Sequence, residues 1–139
     1  MDVISCAAPN LREHPSNSMN SGDGDRRIQL APDELRRLHE KRLSRILDVA
    51  AANGEEAIVL GAFGCGAFRN DPRVVSAAAA AVIPHYRTRF KVIEFAIYCR
   101  PGDTQNYDAF KTAFGLYAAR PHHGGAMGAG LAQRTGVLI

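Results

Sequence analysis

A short apolar run, then glycines at positions 61, 64 and 66, then Asn70-Asp71-Pro72 make residues 59–72, VLGAFGCGAFRNDP, the most constraining stretch of the chain. Ile58, Val59 and Leu60 are β-favouring and uninterrupted by polar residues, the pattern of a strand covered on both faces. Glycine admits positive φ and lets a ligand come close to the backbone. Either Asn70 or Asp71 can cap a following helix with Pro72 at its first position, where the missing N–H costs nothing. A strand that runs through glycines into a helix N-terminus points backbone amides at an anion. The helix dipole adds about 0.3–1 kcal/mol for a phosphate there. The stretch lacks the Lys-Ser/Thr of a Walker A loop and does not fit G-x-G-x-x-G. Spacing alone leaves two readings: a phosphate or ribose contact, and a tight turn that uses glycine for geometry.

At 139 residues the chain suits one domain, large enough to bury about two-thirds of its unfolded surface. Its 46% hydrophobic and 22% charged residues are those of a soluble globular protein. No apolar run approaches the roughly 20 residues of a membrane span, and the first residues, MDVISCAAPN, lack the basic region of a signal peptide. A cytoplasmic location without a membrane partner is the expectation. Cys6, Cys65 and Cys99 are widely spaced, each within or beside an apolar run and with no C-x-x-C pair, so they read as buried thiols rather than zinc ligands. Neither a metal nor a cofactor is expected. The net charge of +3 is mild and the arginines are scattered along helices, which speaks against nucleic acid as a partner.

Strands and helices alternate. Residues 2–8, DVISCAA, read as a first strand ended by Pro9 and Asn10, and residues 11–29, rich in Ser, Asn, Gly, Asp and Arg, as a long surface loop. From Pro32, the spacing of Leu35, Leu38, Leu43, Ile46, Leu47 and Ala50 predicts an amphipathic helix with Arg36, Arg37, Glu40, Lys41 and Arg45 on its wet side, ended by Asn53-Gly54. The helix from Pro72 carries an alanine run at 77–81 that favours helix and close packing, and Pro84 ends or kinks it. Residues 91–98 are a third strand, Pro101-Gly102-Asp103 a turn, and residues 106–114 a short helix with Tyr107, Phe110 and Phe114 along one side. Residues 116–139 read as a flexible glycine-rich tail. Strands each followed by a helix imply a parallel sheet with helices on its faces, and ligands bind such sheets at the carboxyl ends of the strands.

The series VISCAAPN (3–10), IVLGAFGCGAFRNDP (58–72) and VIEFAIYCRPGDTQNYDAF (92–110) resembles the C-terminal half of the microbial-type poly(ADP-ribose) glycohydrolases, a branch of the macrodomain superfamily. The likeness runs over residues 2–115. It implies a three-layer α/β/α fold with a parallel or mixed sheet, and ADP-ribose or a poly(ADP-ribose) terminus as ligand. By resemblance, Gly64, Cys65, Gly66, Ala67, Phe68, Arg69 and Asn70 form the loop that wraps the diphosphate and distal ribose, with Phe68 against that ribose. Ala7, Ala8 and Pro9 would border the same cleft, and Tyr98 and Asn106 would lie near the adenine end. Arg69 departs from the pattern, which has a small residue, commonly glycine, between the Phe and the Asn; a solvent-facing side chain is expected for it.

A second departure concerns catalysis. In the family a glycine triplet followed by Gln-Glu-Glu lies upstream of the strand with which this sequence opens, and one of its carboxyls protonates the leaving oxygen. The sequence given contains no such motif, and Glu13, His14, Asp23 and Asp25 in the loop do not form a substitute pair, so no catalytic residue is assigned. The tail HHGGAMGAGLAQRTG (122–136) echoes a glycine cluster followed by Ala-Gln but carries Arg134 and Thr135 where glutamates would be required, and His122-His123 reads as a surface feature. Three functions are therefore carried forward: an ADP-ribose-recognising macrodomain-like protein inactive alone, an active glycohydrolase with its catalytic group supplied in trans or not yet identified in the sequence, and a structural remnant or interaction module. A homo-oligomer or a complementing chain is expected to cover an open sheet edge and apolar face.

Overall fold

The computed structural model describes residues 1–14, 28–115 and, for the backbone alone, 134–138. The first helix, α1, spans Pro32–Ala52. Pro32 opens it, and the Glu34 carboxylate accepts the Ala31 N–H at 3.1 Å, one of the donors that a helix start leaves without an intrahelical partner. It ends at Asn53, and Gly54 follows with φ 76°. Leu35, Leu47 and Ala50 are buried as their spacing predicts, while Arg36 and Glu40 pair at 2.8 Å on the wet side. The buried stripe also takes in His39.

Strand β1 covers Ala57–Leu60, helix α2 Pro72–Val82, strand β2 Val92–Tyr98, helix α3 Gln105–Ala113 and strand β3 Arg134–Leu138. The α-helical ladder of α2 gives way at Pro84 to a 3-10 turn, Ile83–Tyr86, because proline has no N–H to continue it. The sheet order is β1-β2-β3. β1 runs parallel to β2, with Ile58 opposite Ile93 and Leu60 opposite Phe95, and β3 runs antiparallel to β2, from Glu94 opposite Leu138 to Tyr98 opposite Arg134. This is the α/β class with a mixed sheet.

Strand alternation sends Ile93, Phe95 and Ile97 of β2 into a core with Leu47, Val75, Ala79, Val82, Ile83 and Phe110. Phe95 meets Phe110 at 5.1 Å and Phe114 at 5.4 Å between ring centroids. Helix α2 packs against both α1 and α3, and its Ala78 and Ala79 are small enough for close approach. The opposite sheet face carries Val59, Val92 and Tyr98, all exposed, so among the described residues helices cover one face of the sheet.

Three expectations are corrected. β1 is not covered on both faces: Val59 is 65% exposed while Ile58 and Leu60 are half-buried, so only one face is dry. An uninterrupted apolar run does not report how many faces are covered. Residues 2–8 form no strand among the described residues; Met1 and Val3 are exposed, Arg42 of α1 engages the Ala7 carbonyl, and Asn70 of the loop engages that of Pro9, just beyond the segment. Within the 116–139 stretch, Arg134–Leu138 is strand β3 rather than featureless tail, with β-branched Thr135 and Val137 in the run. Residues 15–27, with most of the expected surface loop, and residues 116–133, with the histidine pair, lie outside the described residues.

Candidate functional site

The loop between β1 and α2 consists of two successive turns inside one wider closure. Cys65 N–H donates to the Ala62 carbonyl at 3.0 Å, Arg69 N–H to Gly66 at 3.1 Å, and Asn70 N–H to Gly64 at 3.0 Å. Gly64 has φ 82°, and a Cβ there would lie 2.7 Å from both the Ala8 Cβ and the Asn70 Nδ2, so glycine is a requirement of the fold at this position. Gly66 is different. Its φ is not positive, it is exposed, and nothing stands within 4 Å of a Cβ built on it.

Asn70 is 2% exposed and turned inward. Its Nδ2 donates to the carbonyls of Pro9 (2.8 Å), Gly64 (3.0 Å) and Phe68 (3.3 Å), and its Oδ1 lies 2.9 Å from His39 Nε2. The cap of α2 therefore falls to Asp71, whose carboxylate accepts the Arg73 N–H at 2.9 Å. The hydrogen bond from the Arg73 side chain holds the Asp71 carboxyl below its ordinary range. This overturns one premise of the sequence reading. With Pro72 lacking an N–H, Arg73 bonded to the Asp71 side chain, and Val74 and Val75 bonded to the Asp71 carbonyl, the first turn of α2 has no amide left for an anion.

The unengaged donors lie earlier, in the loop itself. Among the described residues no group accepts from the amides of Ala62, Phe63 and Gly64, nor, past Cys65, from those of Gly66, Ala67 and Phe68. Arg69 adjoins them, exposed, with φ 59°. Phe68 is half-buried; the Arg12 guanidinium lies 5.8 Å from its ring centroid, and Leu11 N–H donates to its carbonyl at 3.0 Å. Burial, with a smaller push from the Asp71 charge, moves the Cys65 thiol up to about 12, away from the thiolate form.

Ala8 and Pro9 are buried beside the loop, and Arg42 Nη1 donates to the Ala7 carbonyl at 2.6 Å. Tyr98 (62% exposed) ends β2, and Asn106 sits in the first turn of α3. Because β1 and β2 are parallel, the glycine loop and the turn after Tyr98 leave the sheet at the same edge, yet among the described residues neither Tyr98 nor Asn106 hydrogen-bonds to the loop. A cavity of about 670 Å³ lies behind the loop, between residues 1–6 and the α1–β1 pair. Leu43, Ile46, Val49 and Phe63 line it, and none of residues 64–70 does.

His39 and Arg42 were not singled out by sequence reasoning. The available signal was His39 itself, a polar residue four positions after Leu35 and eight before Leu47, on the stripe that the leucines mark as buried.

Among the described residues, no helix is long and apolar enough to cross a membrane, and no group of three or more His, Cys, Asp or Glu is placed to hold a metal ion.

No protein-family model matches the chain, and no curated protein does. Among solved structures it is similar to the poly(ADP-ribose) glycohydrolase of Deinococcus radiodurans, a crystal structure in complex with ADP-ribose, at 30% identity and a TM-score of 0.53. The match covers 60% of this chain and 36% of that one, so the chain spans about a third of the length of that glycohydrolase. Over the matched part, then, the chain is similar in sequence and fold to a poly(ADP-ribose) glycohydrolase, and its own architecture is α/β and macrodomain-like.

Proposed function

We propose that the chain recognises an ADP-ribose unit, monomeric or at a polymer end, with the diphosphate on the amides of residues 66–68. The observation that carries this reading is the contrast inside the loop. Its frame is braced by internal hydrogen bonds, while the amides of residues 66–68, like those of 62–64, are left without an acceptor among the described residues, and of the two runs it is 66–68 that includes exposed positions, Gly66 and Ala67. Successive backbone N–H groups in a turn form an anion-binding concavity. The open space over Gly66 leaves room for a ligand to approach the backbone, and the Arg69 charge adjoins it. In the same reading the distal ribose lies against Phe68, Ala8 and Pro9 wall the cleft, and Tyr98 and Asn106 stand toward the adenine. The similarity to a glycohydrolase solved with ADP-ribose supports the choice of ligand.

Recognition is favoured over cleavage for the described residues acting alone. Breaking a glycosidic bond needs a carboxylic acid to protonate the leaving oxygen. Asp71, the carboxyl beside the loop, is occupied by the cap and by Arg73 at 2.9 Å, which keep it ionised. An acid brought by another chain, or by residues beyond those described, would turn the binding site into a hydrolytic one.

Titration calorimetry with ADP-ribose, using AMP and Gly66→Glu as controls, tests the proposal. Saturable binding that AMP does not reproduce is the expected result. Gly66→Glu, which sets a carboxylate against the phosphates, should weaken it by about tenfold or more. Folded protein that gives no heat at millimolar ligand would remove the proposal.

A further inference from the structure

We infer that His39 is a positioning residue for the loop: from helix α1 it sets the orientation of the Asn70 amide, and through that amide the direction in which the loop's free N–H groups face. The inference rests on the reading of the loop as a ligand site, but its geometry is independent of the ligand.

The Asn70 amide has one donor end and one acceptor end. The donor end faces three carbonyls, those of Pro9, Gly64 and Phe68, at 2.8–3.3 Å. A flipped amide would put its oxygen against all three, so the orientation is compelled and Oδ1 must face His39. At 2.9 Å from that oxygen, His39 Nε2 has to carry a proton and donate. Both residues are 2% exposed, and His39 also borders the cavity between residues 1–6 and the α1–β1 pair. Burial outweighs the Asn70 hydrogen bond, which favours protonation, and with a smaller push from the Arg42 charge holds the His39 ring toward its neutral form; with Nε2 donating to Oδ1, that is the Nε2–H tautomer. The ring also meets Phe63 of the loop edge-on, at 5.7 Å and 88°.

What Asn70 holds matters for the amides. It fixes the carbonyls of Gly64 and Phe68, the two ends of the segment that carries the unengaged N–H groups of residues 66–68. Between them the Gly66 carbonyl accepts from Arg69 N–H, and because the peptide is planar, the Ala67 N–H on the other side of that plane points away from the turn. Without His39, a buried amide oxygen has no donor, and the side chain must rotate or the loop must open to water. The contact joins residues 31 positions apart, and the loop's own residues supply no replacement donor to that oxygen.

The test compares His39→Leu, His39→Gln and His39→Asn with the parent chain by ADP-ribose titration and by hydrogen exchange at the bonded loop amides of Cys65, Arg69 and Asn70, referenced to amides inside α2. A Gln side chain can place its donor where Nε2 stands; an Asn side chain falls short. His39→Leu is expected to speed loop exchange relative to α2 and to weaken binding by about tenfold or more, with Gln restoring both and Asn neither. Should His39→Leu fail to fold, the Gln and Asn variants carry the comparison. A folded His39→Leu with parental loop exchange, or an Asn variant equal to the Gln variant in both readouts, overturns the inference. Absence of ADP-ribose binding in the parent chain would remove the ligand reading instead, and exchange alone would then decide the role of His39.

Discussion

Arg69 holds a left-handed backbone, φ 59°, at the point where the loop turns toward α2. An L side chain there crowds the neighbouring carbonyl at a cost of about 1–2 kcal/mol, whereas glycine pays only its larger loss of freedom on folding, about 0.5–1 kcal/mol. Arg69→Gly should therefore stabilise the fold by about 0.5–1 kcal/mol, seen as a higher denaturant midpoint at unchanged slope. The side chain is exposed, so no packing opposes the change. The same backbone accounts for the small residue that the resemblance leads one to expect at this position. Its neighbours show how far single residues could be read. The glycines mark a loop, but sequence does not distinguish Gly64, where a Cβ would strike Ala8 and Asn70, from Gly66, which has open space above it. That difference depends on what residue 8 and residue 70 bring to the loop.

At the scale of elements, α2 starts where an aspartate and a proline place its start. The Asp71 side chain accepts Arg73 N–H, and Pro72 occupies the position that needs no donor. Asp71→Ala is expected to cost about 1 kcal/mol near neutral pH, measured by chemical denaturation. The Arg73 hydrogen bond lowers the folded pKa of Asp71, so the unfolded chain takes up its proton first as pH falls. The contribution is complete above the ordinary carboxylate value of about 3.9 and fades as pH drops through the lower folded value, where parent and variant converge. Helix α1 was legible from its three-and-four spacing and its Asn53-Gly54 end. Strand β1 was legible as a strand but not as one covered on a single face, since Val59 and Leu60 are alike in polarity and differ only in which side of the sheet they occupy.

For the molecule as a whole, the buried His39 links stability to pH. Desolvation moves its folded pKa below the usual 6.5, so over the interval between the two values the unfolded state binds more protons and stability rises with pH. Stability should be complete above about 6.5 and decline as pH falls below it, until the folded value is passed. Urea midpoints at about pH 7.5 and about pH 5.5 check this, with His39→Gln expected to flatten the difference. The core that surrounds this helix is one-sided. Ile93, Phe95 and Ile97 are buried beneath α2 and α3, while Val59 and Tyr98 on the other sheet face are 65% and 62% exposed.

Local chemistry was enough to read the α/β class, the ends of α1, the start of α2 and the glycine loop with its resemblance. Each is written in residues a few positions apart, whose periodicity, caps and backbone freedom act without reference to the rest of the chain. Three features needed the assembled fold. Residues 2–8 have the composition of a strand, but a strand exists only where a neighbour offers a ladder, and among the described residues none pairs with them; the Ala7 carbonyl meets the Arg42 side chain instead. The helix end that looked open to an anion is closed by its own aspartate, the unengaged amides lie in the loop, those of residues 66–68 among them, and Asn70 turns inward to His39. That partnership crosses from α1 to the loop, and no local pattern specifies which distant polar group will meet a buried amide.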